Sequence, residues 1–150
     1  MVIVGDGPQI GMYKKKAKSL GLKKYVFTGY IQHGQLPIVY QIADVFISPS
    51  DTETQGLTFL EAMSQGCPVI AVQARGPADF IVHNKNGFFA KTLDPKEFQE
   101  LIESVLDDPN KFKSIKENAI KTAEHFNYDS FRKKLYSGYG QAIKFWQEQN

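Results

Sequence analysis

The stretch that decides the fold runs from residue 44 to residue 72 and reads DVFISPSDTETQGLTFLEAMSQGCPVIAV. It opens with an apolar run over 44–48, passes through a polar turn, and enters a helical pattern at about Gly56. Gly66 ends that pattern, as glycine commonly ends helices, and a second apolar run follows over 69–72. Consecutive apolar positions are typical of strands that are covered on both faces of a parallel sheet. The stretch therefore predicts one β-α-β unit.

The same alternation of apolar runs and amphipathic segments extends over the first part of the chain. Further strands are predicted at 2–4, 25–27 and 87–90, the first of them buried and the last at a sheet edge. A helix is predicted from Ile10 to Leu20, where Gly21 stops it, and a shorter one over 36–43. This repeat predicts the α/β class, with a three-layer α/β/α, Rossmann-like domain built on a parallel sheet.

After Ala90 the pattern is that of helices alone. An apolar stripe at helical spacing covers 98–106, and Asp108 and Pro109 have the residue types of an N-cap and a first helical position. A last helix is predicted to start at Asn127 or Asp129. It carries Phe131, Leu135, Tyr139, Ala142 and Trp146 at helical spacing. We therefore predict a helical C-terminal tail.

Composition and charge exclude several classes of protein. With 42% hydrophobic and 23% charged residues among 150, the chain is an ordinary globular one, neither disordered nor fibrous. A net charge of +2 is too small to indicate nucleic acid as a partner. The single cysteine, Cys67, indicates a reducing compartment, and its position before Pro68 and an apolar run predicts a buried small side chain. A reducing compartment and the lack of an apolar stretch of transmembrane length together predict a cytoplasmic protein.

The polar turn before Gly56 is the first candidate site. It follows a predicted strand, and open α/β sheets bind ligands beyond the carboxyl ends of their strands. The first turn of a helix offers free backbone N–H groups and the positive end of the helix dipole. Gly56 has no side chain to keep a phosphate away. The turn therefore predicts a diphosphate at the amides of Gly56 and Leu57.

Two carboxylates, Glu53 and Glu61, lie on either side of that predicted diphosphate site. Carboxylates repel a diphosphate unless they serve hydroxyl groups, and ribose and sugar hydroxyls suit their acceptor oxygens. The alternative is that Glu61 is a solvated or capping helix residue and Glu53 a loop residue. The residues alone leave both interpretations open.

The same stretch resembles the signature of glycosyltransferase family 4, a large family of retaining enzymes with the GT-B fold. That signature is a glutamate, seven residues and a second glutamate with Gly-Leu between them, which Glu53, Gly56, Leu57 and Glu61 match. Further matching segments lie at 3–8, 20–22, 26–29, 36–37, 43–46, 49–50, 61–63, 68–71, 86–87 and 108–109. The similarity covers about residues 2 to 126, in order. It implies the C-terminal, donor-binding half of a GT-B enzyme that transfers a hexose.

The resemblance implies a role for each residue of the site. Glu53 would be the catalytic residue, accepting hydrogen bonds from the transferred sugar, and Glu61 would bind the ribose. The residues that would bind the donor nucleotide are Gly5, Gly7, Tyr30, Ile31, Thr54, Gln55, Gly56, Leu57 and Glu61. The glycines at 5 and 7 are equally explained by a tight turn before a helix. Gln55 departs from the pattern, since most members carry an aromatic residue there.

The resemblance also implies what works with this chain. The donor is a nucleoside-diphosphate sugar such as a UDP-sugar, with no metal and no further cofactor. We expect residues 1–150 to form a single domain that lacks its first strand and helix. The N-terminal acceptor domain of the same parent chain would be the partner, so the isolated chain should be inactive. The run 53–58, ETQGLT, resembles members that glucosylate diacylglycerol, and a lipid acceptor would place the parent enzyme at the membrane periphery.

Three other functions are alternatives for such a sequence. A noncatalytic nucleotide-binding module would need neither Glu53 nor a second half. A nucleotide-sugar epimerase of the GT-B type is disfavoured by the spacing of the two glutamates. A Rossmann dehydrogenase is disfavoured because Ile10 stands where the third glycine of its fingerprint is required.

Overall fold

A computed structural model describes residues 1–73 and 75–149 of the chain. The elements in order are β1 Val2–Val4, α1 Ile10–Ser19, β2 Val26–Gly29, a 3-10 helix His33–Gln35, α2 Leu36–Ile42, β3 Phe46–Ser48, α3 Leu57–Ser64, β4 Val69–Val72, α4 Arg75–Ala78, β5 Phe88–Ala90, α5 Pro95–Leu106, α6 Pro109–His125 and α7 Tyr128–Gln149. Each predicted strand and helix is confirmed, and the 3-10 helix and the single-turn helix α4 are additions. The contacts of the chain group into two compact units, Met1–Val39 and Tyr40–Asn150. The single domain over 1–150 stays a prediction.

The first unit contains a parallel pair of strands, β1 and β2, with Ile3 opposite Phe27. Side chains alternate between the two faces of a strand, so Val2 and Val26 share the face opposite to these residues. That face is open, because Val2 is 48% and Val26 49% exposed. The prediction that β1 is buried was therefore wrong. An apolar run indicates a strand but does not tell which element covers it.

The second unit contains the three-stranded parallel sheet β3-β4-β5. On one face, Ile70 and Phe88 form a core with Val105 of α5 and Ile115 of α6. On the other face, the ring of Phe46 in β3 meets that of Phe59 in α3 edge-on, with centroids 5.3 Å apart. Helices thus cover both faces of the sheet. This confirms the predicted three-layer α/β/α arrangement.

The helix ends follow the local sequence signals. Both Asn110 and Lys111 donate backbone N–H groups to Oδ1 of Asp108 at 3.0 Å, so Asp108 is the predicted N-cap of α6. Gly66, which follows α3, has a φ of 70°, a value that glycine adopts without strain. The carboxamide oxygen of Asn127 accepts the N–H of Ser130 at 2.8 Å, so Asn127 begins the last helix.

The helical C-terminal tail is confirmed by α5, α6 and α7. No described residue of α7 is buried. Its predicted apolar stripe is therefore exposed. Among the helices formed by residues 1–73 and 75–149, none is long and apolar enough to cross a membrane.

Candidate functional site

The loop between β3 and α3 is held against the turn that begins α4. The backbone N–H of Gly76 donates to the backbone oxygen of Glu53 at 3.3 Å. A Cβ at Gly76 would lie 2.6 Å from the carbonyl oxygen of Thr54 and from the nitrogen of Gln55. No side chain fits at such a distance from backbone atoms. The glycine at 76 therefore allows the two segments to touch.

Gly56 ends this loop and begins α3. Its backbone is left-handed, with φ +71° and ψ 28°, which glycine adopts without strain. A Cβ there would lie 2.9 Å from Cζ of Phe80. Two independent constraints, the backbone angle and the neighbouring ring, require glycine at this position.

The carboxylate of Glu53 caps the same glycine. The backbone N–H of Gly56 donates to Oε1 of Glu53 at 2.9 Å, in a partly buried setting. An amide N–H that is already bound in this way is not available to a phosphate. In the part of the chain that the structure describes, the N–H groups of Leu57 and Thr58 donate to no protein acceptor. The free amides of the first turn are thus one residue further along than the sequence predicted.

Thr58 is the first site residue that sequence reasoning missed. It could have been found, because the second residue of a helix always lacks an intrahelical acceptor for its N–H. The capping bond from Glu53 could not, since it depends on the side-chain conformation in the loop. The side chains of Thr54 and Gln55, both predicted to line the site, are exposed.

Glu61 lies on α3 with its side chain partly buried. The hydroxyl of Tyr40, in α2, donates to Oε2 of Glu61 at 3.1 Å. Burial, and then the charge of Glu61, raise the pKa of Tyr40 above its ordinary value of 10.0. Tyr40 is the second residue that sequence reasoning missed. It is 21 residues from Glu61, and no local pattern gives such a contact.

The other predicted nucleotide contacts lie in the first unit. Gly5 has a φ of +128° and donates its N–H to the carbonyl oxygen of Gly29 at 3.0 Å. Gly5 and Gly7 line a cleft of about 350 Å³ within this unit. The carbonyl of Gly7 accepts the N–H of Ile10 at 3.1 Å, so the tight turn before α1 is present. Tyr30 is exposed and Ile31 is partly buried.

The cysteine of the chain is a core residue, as predicted. Cys67 is 1% exposed, and burial raises the pKa of its thiol from 9.0 to about 11. A thiol with such a pKa is a poor nucleophile at neutral pH. Among residues 1–73 and 75–149, no group of three or more His, Cys, Asp or Glu is placed to hold a metal ion.

Comparison with known proteins places this geometry in a family. Residues 1–122 match the family model described as Glycosyl transferases group 1. The chain belongs to this family of glycosyltransferase enzymes. The part of the chain that contains both glutamates, the loop and α3 lies within the matched range.

Two named relatives are similar to this chain. Sulfoquinovosyl transferase SQD2 of Arabidopsis thaliana is 34% identical over 154 residues, which cover 99% of this chain and 29% of the relative. An alpha-monoglucosyldiacylglycerol synthase of Acholeplasma laidlawii is 39% identical over 89 residues, covering 59% of this chain and 22% of the relative. The chain thus spans less than a third of the length of either relative.

Two solved structures have the same fold. Anabaena HepE, in complex with UDP-glucose, matches with a TM-score of 0.84 and 25% identity over 93% of this chain and 40% of that one. Sucrose-phosphate synthase of Thermosynechococcus elongatus matches with a TM-score of 0.85 and 25% identity over 95% of this chain and 38% of that one. These matches confirm the predicted fold, the Rossmann-like C-terminal half of a GT-B enzyme.

Proposed function

We propose that this chain is the donor-binding half of a retaining hexosyltransferase that uses a nucleoside-diphosphate sugar. The main support for the proposal lies at the start of α3. The backbone N–H groups of Leu57 and Thr58, which have no acceptor among residues 1–73 and 75–149, lie there in sequence between the carboxylates of Glu53 and Glu61. Family membership supports the transfer of a sugar, and the complex of HepE with UDP-glucose supports a nucleotide sugar as the donor.

The amides of Leu57 and Thr58 would bind the diphosphate. Backbone N–H groups at a helix N-terminus suit an anion, since they point out of the helix at the positive end of its dipole. As the bond between the sugar and the diphosphate breaks, negative charge grows on the leaving group. Fixed donors stabilise that charge without having to reorganise.

Glu53 would accept a hydroxyl of the transferred sugar. One of its oxygens is bound by the N–H of Gly56, which fixes the orientation of the carboxylate. A carboxylate has about four lone-pair sites, so capacity remains for a sugar hydroxyl. The role of Gly56 is then to orient Glu53, while Glu61 binds the ribose.

The remaining predicted contacts stay part of the proposal on the strength of the family resemblance. Gly5 and Gly7 would pass close to the nucleotide, and the backbone of Tyr30 and Ile31 would border its base. The exposed residues Thr54 and Gln55 would line the donor. No metal ion and no cofactor other than the donor is proposed.

The acceptor is proposed to be a lipid, bound by the N-terminal domain of the parent enzyme at the surface of a cytoplasmic membrane. The name of the Acholeplasma laidlawii relative, an alpha-monoglucosyldiacylglycerol synthase, supports this. The full-length enzyme is then expected to glucosylate diacylglycerol in vesicles when supplied with UDP-glucose. Activity that is restricted to soluble sugars or proteins would contradict the proposed lipid acceptor. The proposal that this chain binds the donor would still stand.

Calorimetric titration of the isolated chain with UDP, GDP and ADP tests the donor half. We expect weak binding of at least one of them, with no turnover of its sugar conjugate. A folded chain that binds none of the three at concentrations on the order of 1 mM, equivalent to about −4 kcal/mol, would contradict the proposal. Glu100→Gln, an exposed change on α5, is the matched control for any glutamate variant.

A further inference from the structure

A buried tyrosine holds the second glutamate of the site. Tyr40 is 7% exposed, and its hydroxyl lies 3.1 Å from Oε2 of Glu61. Its ring meets that of Phe46 edge-on, with centroids 5.5 Å apart and planes at 88°. Phe46 in turn packs against Phe59 of α3, the helix that carries Glu61. The tyrosine ring is therefore fixed by the same core that positions α3.

The hydrogen bond from Tyr40 orders the Glu61 side chain before any ligand binds. A glutamate side chain on a helix surface rotates about several bonds, and a ligand that orders it must offset the lost entropy. A bond from a fixed hydroxyl to one carboxylate oxygen orders the side chain in advance. It is also charge-assisted, and so stronger than a bond between neutral groups. A carboxylate accepts at about four lone-pair sites, so the bond from Tyr40 takes up only part of its acceptor capacity.

We infer that Tyr40 is a positioning residue for donor binding: its hydroxyl holds the Glu61 carboxylate in the orientation that the ribose hydroxyls require. This inference rests on the proposed function, in which Glu61 binds the ribose. Tyr40 acts through Glu61, because its own side chain is buried within the fold.

The hydroxyl is a dependable donor at any pH at which the enzyme would work. Burial and the neighbouring carboxylate both favour the protonated phenol over the phenolate. The bond therefore persists through the neutral range.

The test compares UDP with its 2′,3′-dideoxy analogue by calorimetry, in the wild-type chain and in Tyr40→Phe. This change removes one hydroxyl and keeps the ring against Phe46. If Glu61 binds the ribose, the wild type prefers UDP over the analogue. In Tyr40→Phe we expect UDP binding to weaken by roughly threefold to tenfold, the effect of one hydrogen bond. The preference for UDP over the analogue should shrink in the same proportion.

Two further variants separate positioning from a structural role. Tyr136→Phe makes the same chemical change at an exposed position of α7 and should bind both ligands as the wild type does. In Tyr40→Phe/Glu61→Gln, UDP binding should be no weaker than in Glu61→Gln alone. A hydroxyl that only stabilises the fold would lower the melting temperature of Tyr40→Phe and leave the preference for UDP unchanged.

The outcomes distinguish the two proposals. If the wild type prefers UDP and Tyr40→Phe retains the full preference, the positioning role of Tyr40 is overturned and the ribose role of Glu61 stands. If the wild type binds UDP and the analogue equally, the ribose role fails, and the positioning role fails with it.

Discussion

The backbone N–H of Gly56 donates to Oε1 of Glu53 over 2.9 Å, so the residue that begins α3 also orients the first carboxylate of the site. The two residues depend on each other. Glu53 satisfies an N–H that would otherwise lack a partner at the start of the helix, and the helix start fixes the direction of the carboxylate. This relationship makes the glycine part of the site through its backbone alone.

Gly56→Ala should damage both the fold and the site. Holding alanine at φ +71° costs about 1–2 kcal/mol, and its Cβ would also lie 2.9 Å from Cζ of Phe80. We expect the free energy of unfolding, measured in urea, to fall by at least that amount. Gly138→Ala in α7 is the control, because a Cβ there meets nothing within 4 Å and alanine favours a helix. A Gly56→Ala variant as stable as the wild type would show that the left-handed start of α3 is not needed.

Gly76→Ala tests the contact between the loop and α4. Its Cβ would lie 2.6 Å from backbone atoms of Thr54 and Gln55, so the loop must move. We expect turnover by the full-length enzyme to fall strongly, because Glu53 is displaced. Gly34→Ala, where nothing lies within 4 Å of the added Cβ, should leave turnover near the wild-type rate. Unchanged turnover in Gly76→Ala would mean that the loop geometry does not position the carboxylate of Glu53, the proposed catalytic residue.

The stability of the chain should fall as the pH rises from 9 towards 11. In the folded state burial raises the pKa of Cys67 to about 11, while in the unfolded state the thiol ionises near its ordinary value of 9.0. Between those values the unfolded chain releases a proton that the folded chain retains, which favours unfolding. The pKa of Tyr40 is also raised, so its phenol lowers the stability further above pH 10.

Urea denaturation at a series of pH values measures how steeply the free energy of unfolding falls with pH. Cys67→Ala should flatten this slope between pH 9 and 10, where the tyrosine contributes little. A slope that is unchanged by Cys67→Ala would mean that the thiol is not held protonated by burial. In the native state at pH 8, the thiol should also react slowly with a disulfide reagent, and rapidly after denaturation.

Most elements of the fold could be predicted because their signals are local. Asp108 and Pro109 are residue types that favour an N-cap and a first helical position, and the apolar runs at 46–48 and 69–72 indicate strands without knowledge of their neighbours. What covers an element is not local. The open face of β1 and the exposed stripe of α7 depend on which other surfaces are present, and periodicity does not contain that information.

The candidate site, too, could be predicted from the sequence only in part. The spacing of Glu53, Gly56 and Glu61 locates it, because the three residues lie in one short loop and one helix. The bond from Tyr40 to Glu61 joins segments that are distant in sequence, and so does the packing of Gly76 on the loop, where an added Cβ would lie 2.6 Å from backbone atoms. Such contacts follow from tertiary packing, so a local sequence pattern does not predict them.

The central claim gives the two glutamates different ligands, and calorimetric titration of UDP into Glu61→Gln and Glu53→Gln tests it most directly. Losing a charge-assisted bond to the ribose should cost about 1.5–3 kcal/mol, so Glu61→Gln is expected to bind UDP roughly tenfold to a hundredfold more weakly. Glu53→Gln should bind UDP as the wild type does, because this glutamate meets only the sugar. Its effect should fall on kcat of the full-length enzyme. Equal weakening of UDP binding in both variants, or none in Glu61→Gln, would contradict the account.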